Sequence, residues 1–230
     1  MKLYSVAIDG PSGAGKSTIA RAAAKRFGFL YVDTGAIYRT VGLAAERAGV
    51  KKGDRDAVTA LLPKLDISLG YGEDGVQRSF LNGEDVSEAI RTPEISSRAS
   101  DVSAMPEVRA CLLDMQRAMA RKHSVIMDGR DIGSVVLPDA DLKIFLTASA
   151  ECRAERRRAE LESRGISASF GWILSEMSRR DRQDSKRAAA PLTVAEGAVT
   201  VDTSSLSLDE SIEAVCSLIS EKLGVKPLEG

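Results

Sequence analysis

The eight residues Gly10 to Ser17, GPSGAGKS, constrain this chain more than any other stretch. They follow the apolar run LYSVAI (Leu3 to Ile8) and pass without a break into TIARAAAKRF, a run of good helix formers. A strand ending in GxxxxGK[ST] and opening a helix is the P-loop arrangement. Its glycines let successive backbone N–H groups point inward as a nest for phosphate oxygens, because a Cβ at those positions would obstruct close approach. The helix N-terminus adds partial positive charge, Lys16 reaches the β and γ phosphates, and the Ser17 hydroxyl is a magnesium ligand. Gly10, Pro11, Ser12, Gly13, Ala14, Gly15, Lys16, Ser17 and Thr18 are therefore expected to bind a triphosphate. The competing reading, a flexible glycine turn, does not explain the strand before and the helix after.

Several function classes drop out. A GTPase needs the guanine-reading NKxD motif, and Asn82 is the only asparagine. A Ser/His/Asp hydrolase or a histidine-rich metal site would rest wholly on His123, the single histidine. Thirty-two basic residues against 33 acidic ones leave a net charge of −1, so any basic patch is local. Together with only ten aromatic residues, this argues against an ATP-dependent nucleic-acid binder, the rival from another class. That rival predicts a steep salt dependence of nucleic-acid binding. No apolar run approaches the roughly 18 residues of a membrane span, and no signal-like region follows Met1. A cytoplasmic protein with no membrane partner is the expectation. Cys111, Cys152 and Cys216 are odd in number and lack CxxC spacing, so reduced core thiols are expected.

Along the chain, short apolar runs alternate with helical patterns: Leu3 to Ile8, Phe29 to Val32, Ser124 to Met127, Leu142 to Leu146 and Ala198 to Val201. This rhythm predicts an α/β fold, a doubly wound five-stranded parallel sheet covered on both faces. Ser207 with Glu210 forms a capping box, and Leu208, Ile212, Val215, Ile219 and Leu223 mark one face of the last helix. From Leu65 to about Ser100 the rhythm breaks. DISLGYGEDGVQRSFLNGEDV alternates polar and apolar residues around glycines and the turn pair Asn82-Gly83, as antiparallel hairpins do. The expectation is one domain, with core residues 1–62, 106–150 and 190–230, an inserted antiparallel lobe at about 63–105 and a lid at about 151–189.

Two features bear on the triphosphate. SVIMD resembles a Walker B strand, which places Asp128 to hold magnesium, directly or through water; a carboxylate that merely terminates a strand is the alternative. Arginines cluster in RAERRR (Arg153, Arg156, Arg157, Arg158) and RRDRQDSKR (Arg179 to Arg187), on two helices separated by a break at Gly165. Such runs are often solvated faces. Beside a triphosphate they suit a lid whose guanidiniums clamp the transferring phosphoryl group and exclude water.

IDGPSGAGKST, DTGAIYR (Asp33 to Arg39), LNGEDVSEAIRTPEIS (Leu81 to Ser96), DGRDIGSVVLPDADLKIFLTAS (Asp128 to Ser149) and RDRQDSKRAAAPL (Arg180 to Leu192) together resemble the bacterial cytidylate kinase family, in order and across nearly the whole chain. The resemblance implies a P-loop kinase fold with an inserted lobe that binds the nucleoside monophosphate and a helical lid. It implies transfer of the γ-phosphoryl group of ATP, with Mg2+, to CMP and dCMP; a monomer is expected.

The resemblance also implies residue roles. Thr34 and Arg39 lie near the acceptor phosphate, and Arg130, Arg180 and the lid arginines Arg153 and Arg157 hold phosphates during transfer. Ser100, Arg109 and Asp131 read the cytosine edge, and Asp184 and Arg187 lie near the pentose and phosphate. A carboxylate, an arginine and a serine do complement the N4 donor and the N3 and O2 acceptors of cytosine. On residues alone, Arg109 could equally be a solvated helical side chain and Asp131 a turn cap. Ser17 stands where some family members have glycine, and Arg182 and Gln183 fill variable slots.

Overall fold

The computed structural model describes residues 2–163 and 165–228. The chain divides into two compact units, Met1–Tyr31 with Met119–Gly230, and Val32–Ala118.

In chain order the elements are β1 (Ser5–Asp9), α1 (Lys16–Phe27), β2 (Leu30–Asp33), α2 (Thr34–Arg47) and α3 (Arg55–Leu61). Then come β3 (Ile67–Tyr71), β4 (Gln77–Leu81), β5 (Glu84–Asp85), α4 (Pro93–Val102) and α5 (Pro106–Lys122). The chain continues through β6 (Val125–Gly129), a π-helical turn (Ile132–Val136), β7 (Leu142–Thr147), α6 (Ala150–Ser163), α7 (Phe170–Lys186), β8 (Val199–Asp202) and α8 (Leu208–Leu223). The five runs expected as strands are β1, β2, β6, β7 and β8, in the spatial order β2-β6-β1-β7-β8. Register places Asp9 beside Gly129 on one flank and beside Phe145 on the other. The carboxyl ends of β1, β6 and β7 thus share one row, where open α/β sheets bind ligands.

On one sheet face Val6, Ile8, Ile126, Ile144 and Leu146 pack with Ile19, Ala20, Ala23 and Phe27 of α1 and Val215, Cys216 and Ile219 of α8. Their pleat neighbours Ala7 and Met127 are also fully buried, so β1 and β6 read as unbroken apolar runs, as internal parallel strands do. The capping box of α8 is present: Ser207 Oγ accepts from Glu210 N (3.2 Å), and Glu210 Oε2 accepts from Ser207 N (2.8 Å). Leu208 departs from the expected inward stripe and is 52% exposed, because Ser207 is the cap and Leu208 occupies the first helical position, ahead of the buried turn. In the α6–α7 hairpin, Ala154, Leu161, Ile173 and Met177 form a small core with Phe170 and Leu174.

In the other unit, β3, β4 and β5 form a three-stranded antiparallel sheet. Leu81 pairs with Glu84 across the two-residue turn Asn82-Gly83, both at positive φ, the geometry that favours this dipeptide. Ile37, Val41 and Ala45 of α2 pack on Val58, Val102, Val108 and Leu112, and Ala36, Leu43 and Ala44 on Leu81, Val86, Ile90 and Ile95. Cys216 is a buried core thiol, but Cys111 is exposed: it lies next to Ala110 on the solvent side of α5, not with Val108 and Leu112.

Candidate active site

Gly10 to Gly15 join the end of β1 to the start of α1. A Cβ on Gly10 would lie 2.0 Å from the Leu146 carbonyl oxygen, so no other residue fits where the loop leaves β1 beside β7. Gly13 and Gly15 take φ of 75° and 87°, the left-handed values that alternate the peptide groups into an anion nest. Three loop carbonyls are each held by a cation: Lys16 Nζ donates to Pro11 O (2.7 Å), Arg153 Nη1 to Ser12 O (3.0 Å) and Arg156 Nη1 to Ala14 O (3.5 Å). Pro11, Ala14 and Lys16 are buried, Ser12, Gly13, Gly15 and Ser17 half-buried, and Thr18 exposed.

Asp128, buried near the end of β6, accepts from Ser17 Oγ (2.8 Å) through Oδ2 and from Tyr31 OH (3.0 Å) through Oδ1. Among the described residues no group of three or more His, Cys, Asp or Glu side chains could hold a metal by itself. A hydroxyl beside one carboxylate is nevertheless a donor set that fits Mg2+, which takes few protein oxygens and completes its shell with phosphate and water.

Asp9 is the residue that motif reading misses. It ends β1 only 3% exposed, and its carboxylate accepts from Ile132 N (2.8 Å) and Gly133 N (2.7 Å). Burial pushes its carboxyl up to about 6, against the pull of these two N–H groups; the Asp131 charge raises it further and Lys16 lowers it. Burial likewise lowers the Lys16 ammonium to about 7, aided by the Arg130 charge and opposed by Asp128, Asp9 and Asp184. These groups therefore form one electrostatic cluster at the carboxyl ends of β1 and β6. The available signal for Asp9 was an acid closing an otherwise apolar strand one residue before Gly10.

The same cluster includes the DGRD turn. Arg130 donates from Nε to Asp184 Oδ2 (3.0 Å) and from Nη1 to Gly129 O (3.1 Å). Arg187 Nη2 pairs with Asp131 Oδ1 (3.3 Å), with both side chains almost wholly buried, and Arg187 Nε also donates to Ala190 O. Asp184 and Asp131 are thus each paired with a guanidinium, whereas Asp128, the first residue of DGRD, is held by two hydroxyls. Arg180 lies half-buried on α7.

The hairpin arginines have two kinds of partner. Arg153 is buried and bonds Ala148 O (3.0 Å), Ser12 O and Asp181 Oδ2 (2.7 Å), while Arg156 bonds Thr203 Oγ1 (3.0 Å) and Thr203 O (2.8 Å) as well as Ala14 O. Arg157 instead meets Glu160 (2.7 Å), Arg158 Glu162 (3.8 Å) and Arg179 Glu176 (3.0 Å), all pairs along their own helices.

In the second unit, Asp33 caps α2 by accepting from Ala36 N (2.9 Å) and pairs with Arg39 Nη2 (2.7 Å). Burial raises the Asp33 carboxyl, but the Arg39 guanidinium and the Ala36 N–H outweigh it and hold it below the ordinary carboxylate value. Gln77 of β4 accepts from Asp33 N (2.9 Å), a link from the antiparallel sheet to the D-T-G turn that no motif announces. Thr34 is buried beside it in sequence. Arg109 is buried, reaches Ser103 O (3.3 Å) and lies over the Tyr38 ring; Ser103 Oγ in turn donates to Ser100 O (3.0 Å). The Ser100 hydroxyl is buried with no hydrogen-bond partner among the described residues. Thr34, Arg39, Ser100 and Arg109 belong to this unit; Lys16, Asp128, Arg130, Asp131, Arg153, Arg157, Arg180, Asp184 and Arg187 belong to the other.

Comparison with known proteins identifies the family. The sequence profile of the cytidylate kinase family matches residues 6–221. The chain is similar to the cytidylate kinase of Caldicellulosiruptor bescii, at 49% identity over 95% of this chain and 96% of that one. It is also similar to the cytidylate kinase of Caldanaerobacter subterraneus subsp. tengcongensis, at 50% identity over 93% of each chain. Among solved structures, a shikimate kinase from Bacteroides thetaiotaomicron shares the fold, with a TM-score of 0.50 at 14% identity, over 97% of this chain and 100% of that one. With a P-loop at the carboxyl end of its central strand and a profile match over most of its length, the chain belongs to the cytidylate kinase family.

Proposed function

We propose that the protein transfers the γ-phosphoryl group of ATP to the 5′ phosphate of CMP, and of dCMP, giving CDP or dCDP and ADP. One observation carries the geometric side of this reading: at the P-loop the buried Lys16 donates to Pro11 O, the next residue, Ser17, donates to Asp128, and Arg130, two residues beyond Asp128, pairs with Asp184. Substrate identity is supported by family membership.

Catalysis in this reading is positioning plus electrostatics. The inward N–H groups of Ser12 to Thr18 hold the β and γ phosphates, and Lys16 leaves Pro11 O to donate to them. Ser17 and Asp128 would hold Mg2+, which supplies neutralisation of charge on the phosphate oxygens. Within the first unit, Arg130 and Arg180 take phosphate oxygens, Asp131 accepts from the cytosine N4 amino group, and Asp184 with Arg187 holds pentose and phosphate. Within the second, Thr34 and Arg39 take the acceptor phosphate, and Ser100 and Arg109 the base. Arg157 of the hairpin, acting as a lid, releases Glu160 to neutralise the phosphoryl group in transit. No general base is required, because a phosphate oxygen of CMP is already ionised at neutral pH. The chain has three free cysteines and no described helix long and apolar enough to cross a membrane, which supports action in the cytoplasm; a monomer suffices for the chemistry.

A coupled assay of ADP release with ATP and Mg2+ fixed tests the reading across CMP, dCMP, UMP and AMP. CMP and dCMP should drive ADP formation well above the rate with ATP alone. A rate that ignores CMP, or that single-stranded nucleic acid stimulates instead, would reject it.

A further inference from the structure

We propose that Asp9 is a positioning residue for acceptor recognition: its carboxylate fixes the two-residue turn that carries Arg130 and Asp131. The inference rests on the cytidylate kinase reading of those two residues. β6 ends at Gly129, which is in register with Asp9 across the sheet. The chain then runs through Arg130 and Asp131 and returns to Asp9, whose two carboxylate oxygens accept from Ile132 N (2.8 Å) and Gly133 N (2.7 Å). One residue of β1 therefore stands in register with the residue before the turn and is bonded to the two after it, and the two residues between are the ones expected to touch the acceptor. The far side is closed by Val135 N and Val136 N, which donate to Asp131 O at 2.9 and 3.2 Å.

Only a carboxylate satisfies this geometry. Two N–H donors converge on one side chain, so an amide in its place would turn an NH2 group toward one of them, donor against donor. Keeping an ionisable group this buried is unfavourable, which shows in the raised Asp9 carboxyl. An apolar residue at this position would leave the Ile132 and Gly133 N–H groups without their acceptor, so the acid serves the turn it holds.

The test is Asp9→Asn, with kcat/KM measured for CMP and UMP at fixed ATP, KM for ATP, and a thermal melt. With the turn loosened, kcat/KM for CMP should fall about tenfold to hundredfold and the CMP-over-UMP ratio should shrink toward one, while KM for ATP stays within about twofold. An unchanged ratio, or a loss shared equally by CMP, UMP and ATP, would overturn the proposal and leave Asp9 as scaffolding. If Asp9→Asn does not accumulate as folded protein, Asp9→Glu, which keeps the charge but displaces the turn by a methylene, should lower the ratio too; a ratio like that of the unmodified protein overturns it. Amide hydrogen exchange in the unmodified protein needs no variant: Ile132 and Gly133 should be protected before CMP is added, and exchange at free-amide rates would overturn the proposal. Failure of the unmodified protein to use CMP at all would instead reject the function proposed above.

Discussion

Arg153 and Arg156 begin the arginine run of α6, and Arg157 and Arg158 end it, yet the two pairs are held in opposite ways. The first pair is tied to main-chain oxygens of Ser12, Ala14, Ala148 and Thr203, so its guanidiniums are part of the wall behind the P-loop. The second pair is tied to Glu160 and Glu162 on the same helix, with carboxylates largely in solvent. Exposed pairs of that kind contribute about 0–1 kcal/mol, so a phosphate can displace the glutamate. To change partner Arg153 would give up Ala148 O, Ser12 O and Asp181 together, whereas Arg157 would give up one glutamate. The boundary between the loop-bound pair and the glutamate-bound pair thus falls between the adjacent residues Arg156 and Arg157, and the distinction lies in the partners, not in the arginine.

The strongest way to break this contrast is on the fixed side. Lys16→Ala should lower turnover about a thousandfold or more while the thermal melt stays cooperative, because one point charge on the β and γ phosphates is lost from a dry site. Near-normal turnover in a folded variant would end the P-loop assignment. Arg153→Ala should strand Asp181 and free Ser12 O, costing about 3 kcal/mol and lowering the melting midpoint by roughly 6–12 °C, with a raised KM for ATP. On the outer side, Arg157→Ala should leave the melt within about 2 °C yet lower kcat roughly tenfold to hundredfold, with little change in ATP affinity. Equal thermal losses in the two variants would erase the distinction.

The smallest effect concerns protons. With its ammonium lowered to about 7, Lys16 in the free protein is mostly neutral at pH 8. Phosphate binding favours the charged form, so ATP should take up close to one proton at that pH, and its affinity should fall as pH rises above 7. Calorimetry in two buffers of different ionisation enthalpy reads the uptake directly. No uptake at pH 8 would mean that Lys16 is already charged and that the loop is wetter than its burial implies.

Contiguous features were legible in the sequence. The P-loop, the Asn82-Gly83 turn and the Ser207–Glu210 capping box each specify their own geometry within a few residues, and the five apolar runs reported the buried parallel sheet. Asp9 and Gln77 were not legible, because their partners lie 123 and 124 residues away in one case and 44 in the other. Nor was the split among the arginines, since a charge run looks the same whether it faces solvent or a loop carbonyl. Ser100 and Arg109 were marked only by resemblance; their burial and the unpartnered Ser100 hydroxyl add a physical reason that spacing alone lacks.

Base choice is the most direct measurement, because CMP and UMP differ only at positions 3 and 4 of the base, on the edge that Asp131, Arg109 and Ser100 are expected to read. Cytosine presents an amino group to a carboxylate, whereas uracil presents a carbonyl with no proton between, and a mispaired buried contact costs about 1–3 kcal/mol. With ATP saturating, kcat/KM for CMP should exceed that for UMP roughly tenfold to hundredfold, and Asp131→Ala should close the gap chiefly by damaging CMP. Equal use of CMP and UMP by the unmodified protein, or an Asp131→Ala variant that keeps the original preference, would contradict it.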